Sequence, residues 1–177
     1  MLRLIKTNID KCYKIITVPK KDNRGYFLRS FCSDELKKLK FNIKQINISF
    51  NKDAGTLRGF HYQKLPSRED KIISCIKGEI FNVIYDLRSN SKTFKKLFTI
   101  KLKENDFNLM YIPAGCANCF VTLRNNTKII YYMNDDYKPK KNYGFNYNSE
   151  EIKIKWPIKI KKISKTDLKL PKLSDLF

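Results

Sequence analysis

Residues 55–63, Gly-Thr-Leu-Arg-Gly-Phe-His-Tyr-Gln, contain His61, the only histidine in the chain. Histidine is the side chain whose ordinary pKa best suits proton transfer near neutral pH. Arg58 lies three residues earlier and can hold an anion beside the imidazole. On a regular strand, Arg58 would share a face with Phe60 and Tyr62, and His61 would lie on the opposite face. A lone histidine is more often structural, so its role depends on the residues around it.

The cysteines predict neither a disulfide framework nor a metal site. The chain has five, which is an odd number, and scattered cysteines of this kind are typical of free thiols in a reducing compartment. Cys116 and Cys119 form one C-x-x-C pair, but a zinc site needs further cysteine or histidine ligands. We therefore interpret the pair as small apolar filling of a strand, and we expect no metal and no cofactor.

Short strands separated by turns must position these side chains. Lys77 and Gly78 predict a hairpin, and residues 19–25, 51–55 and 125–126 predict turns. Many short strands at regular spacing favour an all-β sandwich or barrel. The predicted strands are residues 13–18, 26–28, 41–49, 71–76, 79–87, 94–102, 109–112, 119–123 and 129–133.

Helices are expected only at the periphery. Ser33 predicts the cap of a short helix over residues 34–39, because carboxylates follow it in the first turn. Ser164 and Asp167 form a capping pattern that predicts a helical turn near the end of the chain. Residues 153–172 alternate lysine with apolar residues, as a strand with one wet face does.

The composition indicates one folded domain over residues 1–177. Hydrophobic residues make up 42% and aromatic residues 13% of the 177 positions, which is typical of globular proteins. No apolar run approaches the ~20 residues of a membrane span, and the first residues lack the apolar core of a signal peptide. We therefore predict a cytoplasmic protein with no membrane partner.

The net charge of +20 is the most unusual global property. Frequent lysine, asparagine and isoleucine favour a compositional bias of the source genome as its origin. Two functional alternatives are steering of an anionic substrate and binding of a nucleic acid. The lysines are dispersed and no nucleic-acid-binding motif accompanies them, so we predict no nucleic-acid partner.

An ordered set of motifs resembles the nucleotide-sugar 3,5-epimerases, the family of dTDP-4-dehydrorhamnose 3,5-epimerase. The resemblance extends from about residue 22 to residue 167 and implies a cupin-type jelly-roll β-barrel with a few short peripheral helices. It also implies a homodimer. The matching motifs are Asp22-x-Arg24-Gly25-x-Phe27, Gln45-x-Asn47-x-Ser49, residues 57–63, Lys71, Gly78, Asp86-Leu87-Arg88, Ser91-x-Thr93-Phe94, Ile112-Pro113-x-Gly115, Tyr131, Tyr137-x-Pro139, Trp156-Pro157 and Ile163-Ser164-x-x-Asp167.

The resemblance implies an isomerase that inverts C3, C5 or both in a nucleotide-linked 4-keto sugar. The ketone acidifies the neighbouring C–H bonds, so a base can remove a proton and an acid can return one from the opposite face. Family position makes His61 the base, with Asp167 behind its imidazole, and makes Tyr131 the acid. Lys71 falls where a cation stabilises the enolate. The products of such enzymes enter polysaccharide biosynthesis.

The resemblance also implies a set of substrate-binding residues. Arginine forks suit diphosphate oxygens, aromatic rings suit a nucleobase, and amides can bind phosphate, sugar or base. Those positions are Arg24 and Arg58 for the diphosphate, Phe27 and Tyr137 for the base, and Gln45 and Asn47 as further contacts.

Four positions depart from the family pattern. Asn118 replaces an active-site histidine, Arg29 and Asn142 each replace a glutamate, and Thr166 replaces a lysine. Arg29, Asn118 and Asn142 keep their places as substrate-binding candidates with altered chemistry. The departures favour an enzyme with a changed substrate, for which one alternative is a GDP-4-keto-heptose epimerase. A second alternative is a non-catalytic cupin that binds a nucleotide sugar.

Overall fold

A computed structural model describes residues 2–64, 67–136, 138 and 142–177. These residues form thirteen strands, one short α-helix and two 3-10 turns, at Lys37–Leu39 and Leu173–Leu176. The strands are β1 (Leu2–Lys6), β2 (Tyr13–Thr17), β3 (Lys20–Asp22), β4 (Gly25–Phe27), β5 (Gln45–Asn51), β6 (Leu57–Gln63), β7 (Lys71–Lys77), β8 (Glu79–Asp86), β9 (Leu97–Lys103), β10 (Asn108–Ile112), β11 (Cys116–Thr122), β12 (Thr127–Met133) and β13 (Asn142–Gly144), and the helix is α1 (Lys165–Leu168).

Two antiparallel sheets form the body of the fold. The six-stranded sheet has the order β1-β2-β10-β7-β12-β5, and the five-stranded sheet has the order β13-β6-β11-β8-β9. Strands β3 and β4 form a separate two-stranded hairpin. Successive strands often change sheet, which is typical of a jelly roll. The all-β prediction is therefore confirmed.

The core lies between the two sheets. Ile73 of β7 and Ile112 of β10 come from one sheet, and Ile84 of β8 and Cys116 of β11 come from the other. A second cluster covers the outer face of the five-stranded sheet with residues from the C-terminal part of the chain. A third covers the six-stranded sheet with residues from the segment before β5. Burial on both faces explains the nearly continuous apolar strands in the sequence.

The hairpin predicted at Gly78 is wrong. Strand β7 pairs with β10 and β12, whereas β8 pairs with β9 and β11, so the turn carries the chain from one sheet to the other. Gly78 has a φ of +81°, and a Cβ there would collide with the Thr127 hydroxyl. A turn signal predicts where a strand ends but not which strand becomes its partner.

Four local predictions need correction. Residues 19–25 contain β3 rather than only a turn, and the strand predicted over residues 41–49 begins at Gln45. The helix predicted after Ser33 is instead a set of turns followed by the 3-10 turn Lys37–Leu39. The Glu35 carboxylate, which was expected in the first turn of that helix, accepts hydrogen bonds from Arg29 and from the Leu2 amide. Residues 153–172 form no strand.

The C-terminal helical turn is confirmed. Helix α1 spans Lys165–Leu168, and the Ser164 hydroxyl accepts a hydrogen bond from the Asp167 amide at 2.9 Å. This cap fixes the position from which Asp167 reaches the five-stranded sheet. No helix within the described part of the chain is long and apolar enough to cross a membrane.

Candidate active site

A cavity of about 290 Å³ lies between the two sheets and contains the predicted proton-transfer residues. His61 enters from β6 in the five-stranded sheet, and Tyr131 enters from β12 in the six-stranded sheet. Lys71, at the start of β7, also lines it. An imidazole, a phenol and an ammonium from distant parts of the sequence therefore share one hollow. A larger cavity of about 550 Å³, beside Tyr62 and Arg88, contains none of these three side chains.

His61 is oriented by Asp167. Its Nε2 lies 2.8 Å from Asp167 Oδ1, and because an ionised carboxylate only accepts, Nε2 carries the proton. The lone pair is then on Nδ1, for which no described protein group is a hydrogen-bond partner. Burial raises the pKa of Asp167, but the hydrogen bond and charge of His61 and the Gly59 amide outweigh it and lower the pKa overall. The site thus holds a base with a fixed tautomer.

A bulge in β6 brings Arg58 to the same cavity as His61. Opposite β11, His61 pairs with Asn118 and Arg58 pairs with Phe120, so three steps on β6 match two on β11. The extra residue reverses the alternation between the two side chains. The expectation that Arg58 and His61 lie on opposite faces is therefore wrong. Gly59 permits the bulge, since a Cβ at its φ of +120° would lie 2.7 Å from Cys119 Cα.

Tyr131 is a protonated acid at neutral pH. Burial raises the pKa of its phenol well above the ordinary value, and the charge of Arg58 opposes this only in part. Within the described part of the chain, no hydrogen-bond partner of the hydroxyl is found. The proton is thus available to a group that enters the cavity.

Lys71 is held by Glu69, a residue that the sequence interpretation missed. Lys71 Nζ lies 2.7 Å from Glu69 Oε1, and the two side chains are only 10% and 7% exposed. The other Glu69 oxygen accepts from Gln63 Nε2. The signal was present in the sequence, because residues two positions apart in extended structure share a face. Both members of this buried pair line the cavity.

Several predicted binding residues surround the same cavity. Arg58 donates from Nε to Asn51 Oδ1 at 2.8 Å, which leaves the rest of its guanidinium fork for another acceptor. Asn47, Asn118 and Asn142 are lining residues. Gln45 is not among them, but it donates to Asn47 Oδ1 at 2.9 Å.

The remaining predicted binding residues lie elsewhere or outside the described residues. Arg24 and Phe27 belong to the β3–β4 hairpin and do not line the cavity; the Phe27 residue is 72% exposed. Arg29 also lies outside the cavity lining and pairs with Glu35 at 2.6 Å. Tyr137 falls outside the described residues. Their roles stay predictions.

The C-x-x-C pair points to opposite faces of β11. Cys116 packs in the cluster between the sheets, and Cys119 packs in the outer cluster. Both are free, buried thiols, which agrees with their interpretation as apolar filling. Among the described residues, no group of three or more His, Cys, Asp or Glu side chains could hold a metal ion.

A jelly roll with a carboxylate-backed imidazole and a protonated phenol on facing walls defines an acid–base enzyme. Comparison with known proteins identifies the kind of enzyme. Residues 6–175 match the family model for dTDP-4-dehydrorhamnose 3,5-epimerase, and the chain belongs to that family. The resemblance inferred from the motifs is confirmed. Its relatives are epimerases, which places the chain among the isomerases.

Three relatives match over almost their full length. The dTDP-4-dehydrorhamnose 3,5-epimerase of Shigella flexneri is 32% identical over 98% of this chain and 97% of its own length. The enzyme of the same name from Bacillus anthracis, solved with TDP and pyrophosphate bound, superposes with a TM-score of 0.94 at 32% identity and covers 98% of this chain and 100% of its own. The Legionella pneumophila enzyme, solved with dTDP-4-keto-L-rhamnose, superposes with a TM-score of 0.90 at 29% identity. The match covers 98% of this chain and 94% of that enzyme.

Proposed function

We propose that the chain is a nucleotide-sugar epimerase that inverts C3, C5 or both in a dTDP-linked 4-keto-6-deoxy sugar. The observation that carries the proposal is the shared cavity, which His61 and Tyr131 enter from opposite sheets. Inversion needs a base on one face of the sugar ring and an acid on the other. Two facing walls supply that arrangement without movement of either sheet.

The reaction proceeds through an enolate. His61 Nδ1 removes the proton beside the ketone, and the C–H electron pair forms the enolate double bond while the carbonyl electrons move to O4. Lys71 stabilises the negative charge on O4, since an ammonium in a dry cavity acts more strongly than in water. Tyr131 then gives its proton to the opposite face of the same carbon. Proton exchange with solvent restores the phenol and the neutral imidazole.

The choice of dTDP rests on the relatives. Structures of relatives hold TDP or dTDP-4-keto-L-rhamnose. In this chain, Arg58 offers the diphosphate the part of its guanidinium that Asn51 does not bind, and Asn47 and Asn142 supply amides nearby. The replacements at Arg29, Asn118 and Asn142 keep a GDP-4-keto-heptose as the second candidate substrate.

We further infer a homodimer that completes the nucleotide site. Strand β5 is an edge strand whose Asn47 faces the cavity, while Ile46, Ile48 and Phe50 on its other face are 53%, 63% and 52% exposed. Apolar side chains in such a row need cover. A second copy packed on β5 can bring its own β3–β4 hairpin, with a highly exposed Phe27, beside the cavity.

Exchange in heavy water tests the reaction. The chain is incubated with dTDP-, GDP- and CDP-linked 4-keto sugars, and deuterium at C3 and C5 is read by NMR and mass spectrometry. We expect deuterium and inverted product from the dTDP sugar, loss of both with His61→Ala, and loss of inversion with Tyr131→Phe. If no substrate exchanges, the chain is a binding protein rather than an enzyme. Preference for the GDP sugar would favour the second candidate.

A further inference from the structure

A chain of hydrogen bonds leads from Lys71 away from the cavity. Glu69, whose Oε1 lies 2.7 Å from Lys71 Nζ, accepts from Gln63 Nε2 with its other oxygen. Gln63 Oε1 lies 2.7 Å from Ser67 Oγ, and Ser67 Oγ lies 2.6 Å from Asp135 Oδ2. Gln63, Ser67 and Glu69 are 5%, 4% and 8% exposed, so these side chains depend on one another for hydrogen bonds.

The chain of hydrogen bonds fixes the orientation of the Gln63 amide. Glu69 is paired with the Lys71 ammonium as a carboxylate, which only accepts hydrogen bonds, so the amide nitrogen must face it. The amide oxygen then faces Ser67, and a hydrogen bond forms there only when the Ser67 hydroxyl donates. Ser67 therefore holds the amide that holds Glu69. An ammonium that is displaced from its place in the cavity stabilises an enolate less well.

Asp135 competes with Gln63 for the single proton of the Ser67 hydroxyl. Asp135 lies two residues beyond the end of β12, and the Ser67 hydrogen bond, followed by that of Lys138, lowers its pKa to about 2. Asp135 is thus ionised at neutral pH and, like the Gln63 oxygen, can only accept. A hydroxyl donates one hydrogen bond, and a charged acceptor binds it more strongly than a neutral amide oxygen does. Whenever Ser67 donates to Asp135, its hold on the Gln63 amide is lost.

We propose that Ser67 positions Lys71 through this chain of hydrogen bonds, and that Asp135 weakens the hold by drawing away the Ser67 proton. The proposal rests on the proposed epimerase function, in which Lys71 stabilises the enolate, and it adds two positioning residues to that site. Lys138 acts in the opposite sense to Asp135, because its Nζ lies 2.9 Å from both carboxylate oxygens and partly neutralises them. The segment after β12 thereby influences the enolate-stabilising charge in the cavity.

Two substitutions with opposite expected signs test the proposal. The values of kcat and KM are measured with a dTDP-linked 4-keto-6-deoxy sugar in heavy water, from deuterium incorporation at whichever of C3 and C5 exchanges. Ser67→Ala removes the donor and is expected to lower kcat about fivefold with little change in KM, because Lys71 acts on the enolate. Asp135→Asn can turn its oxygen toward Lys138 and its N–H₂ toward Ser67. The hydroxyl proton then returns to Gln63, and kcat is expected to rise about threefold. A kcat at or below that of the wild type in Asp135→Asn, or a wild-type kcat in Ser67→Ala, overturns the proposal.

Double variants separate positioning from general damage to the fold. In the Glu69→Gln background, Ser67→Ala should cause no further loss of kcat, because the link to Lys71 is already broken. In the Ser67→Ala background, Asp135→Asn should no longer raise kcat. Independent effects in either pair contradict the proposed chain, because residues that act through one another are not additive.

A matched control and the wild type complete the experiment. Ser174→Ala replaces an exposed serine in the C-terminal 3-10 turn and should leave kcat unchanged. Thermal unfolding of each variant shows that the fold is intact. If the wild-type chain exchanges no 4-keto sugar, the proposed epimerase function fails. If the wild type exchanges and the variants lack the expected pattern, only the positioning role of Ser67 and Asp135 fails.

Discussion

Asp167→Asn is the sharpest test of the base. The substitution preserves the shape of the side chain and removes the negative charge 2.8 Å from His61 Nε2. That charge stabilises the imidazolium that forms when His61 takes a proton. For a pair at the protein surface the interaction is about 4 kcal/mol, and we reduce it to about 2–3 kcal/mol because the His61 side chain is 36% exposed. The expected loss in kcat is thus about 30- to 150-fold.

Single-turnover exchange in heavy water measures this loss directly. The rate of deuterium incorporation at C3 and C5 reports proton abstraction, independently of product release. Asp106→Asn, which neutralises an exposed carboxylate in the turn between β9 and β10, is the control and should change nothing. A rate for Asp167→Asn within threefold of the wild type, with the fold intact, would refute the role of the carboxylate.

Three other perturbations follow from the structure. Glu69→Gln removes the carboxylate whose oxygen lies 2.7 Å from Lys71 Nζ. It should lower kcat about tenfold with little change in KM, because Lys71 acts on the enolate rather than on the bound ketone. A change in KM alone would contradict this. Asp86→Asn should lower the free energy of unfolding at pH 7 by about 2 kcal/mol, since burial raises the carboxyl pKa but Arg88 and two hydroxyls outweigh it and bring it to about 2. Because the pKa is lowered in the folded protein, the carboxylate stabilises the fold fully above the pKa of the unfolded chain, and this stabilisation is lost as pH falls toward 2. Urea unfolding should therefore show a smaller difference in stability between wild type and Asp86→Asn at pH 3 than at pH 7. Ile48→Lys should produce monomers in sedimentation and weaken binding of dTDP, whereas a stable dimer with unchanged affinity would exclude β5 from the interface.

The sequence was sufficient to predict the class of fold, but it could not predict which strands pair with one another. Apolar runs of four to eight residues between turn signals predicted strands, and the strands exist. Local signals could not determine that β7 and β8, joined at Gly78, belong to different sheets. The choice of partner depends on burial across the whole sandwich, where β7 pairs with β10 and β12 and not with β8.

The candidate site, too, was only partly predictable from the sequence. His61, Tyr131 and Lys71 could be singled out from motifs, because their order along the chain resembles a known family. Asn82 could not, since its contact with Asn118 Nδ2 exists only because β8 and β11 are neighbours. Glu69 was missed although its position two residues before Lys71 was visible in the sequence. The regular alternation of a strand also could not predict that Arg58 and His61 line the same cavity. The bulge in β6 inserts an extra residue between them and so reverses the alternation.

The departures from the family pattern are consistent with retained chemistry and altered recognition. Asn118 and Asn142 come from the five-stranded sheet, and among the described residues neither forms a hydrogen bond with the Asp167 carboxylate or the Tyr131 phenol. A neutral amide in place of a histidine leaves His61 as the only imidazole that can gain or lose a proton in the cavity. In the proposed reaction, proton transfer depends on one base and one acid, and the hydrogen bonds of the surrounding wall select the sugar. Substrate preference can therefore change through Asn118 without any change in how the proton moves.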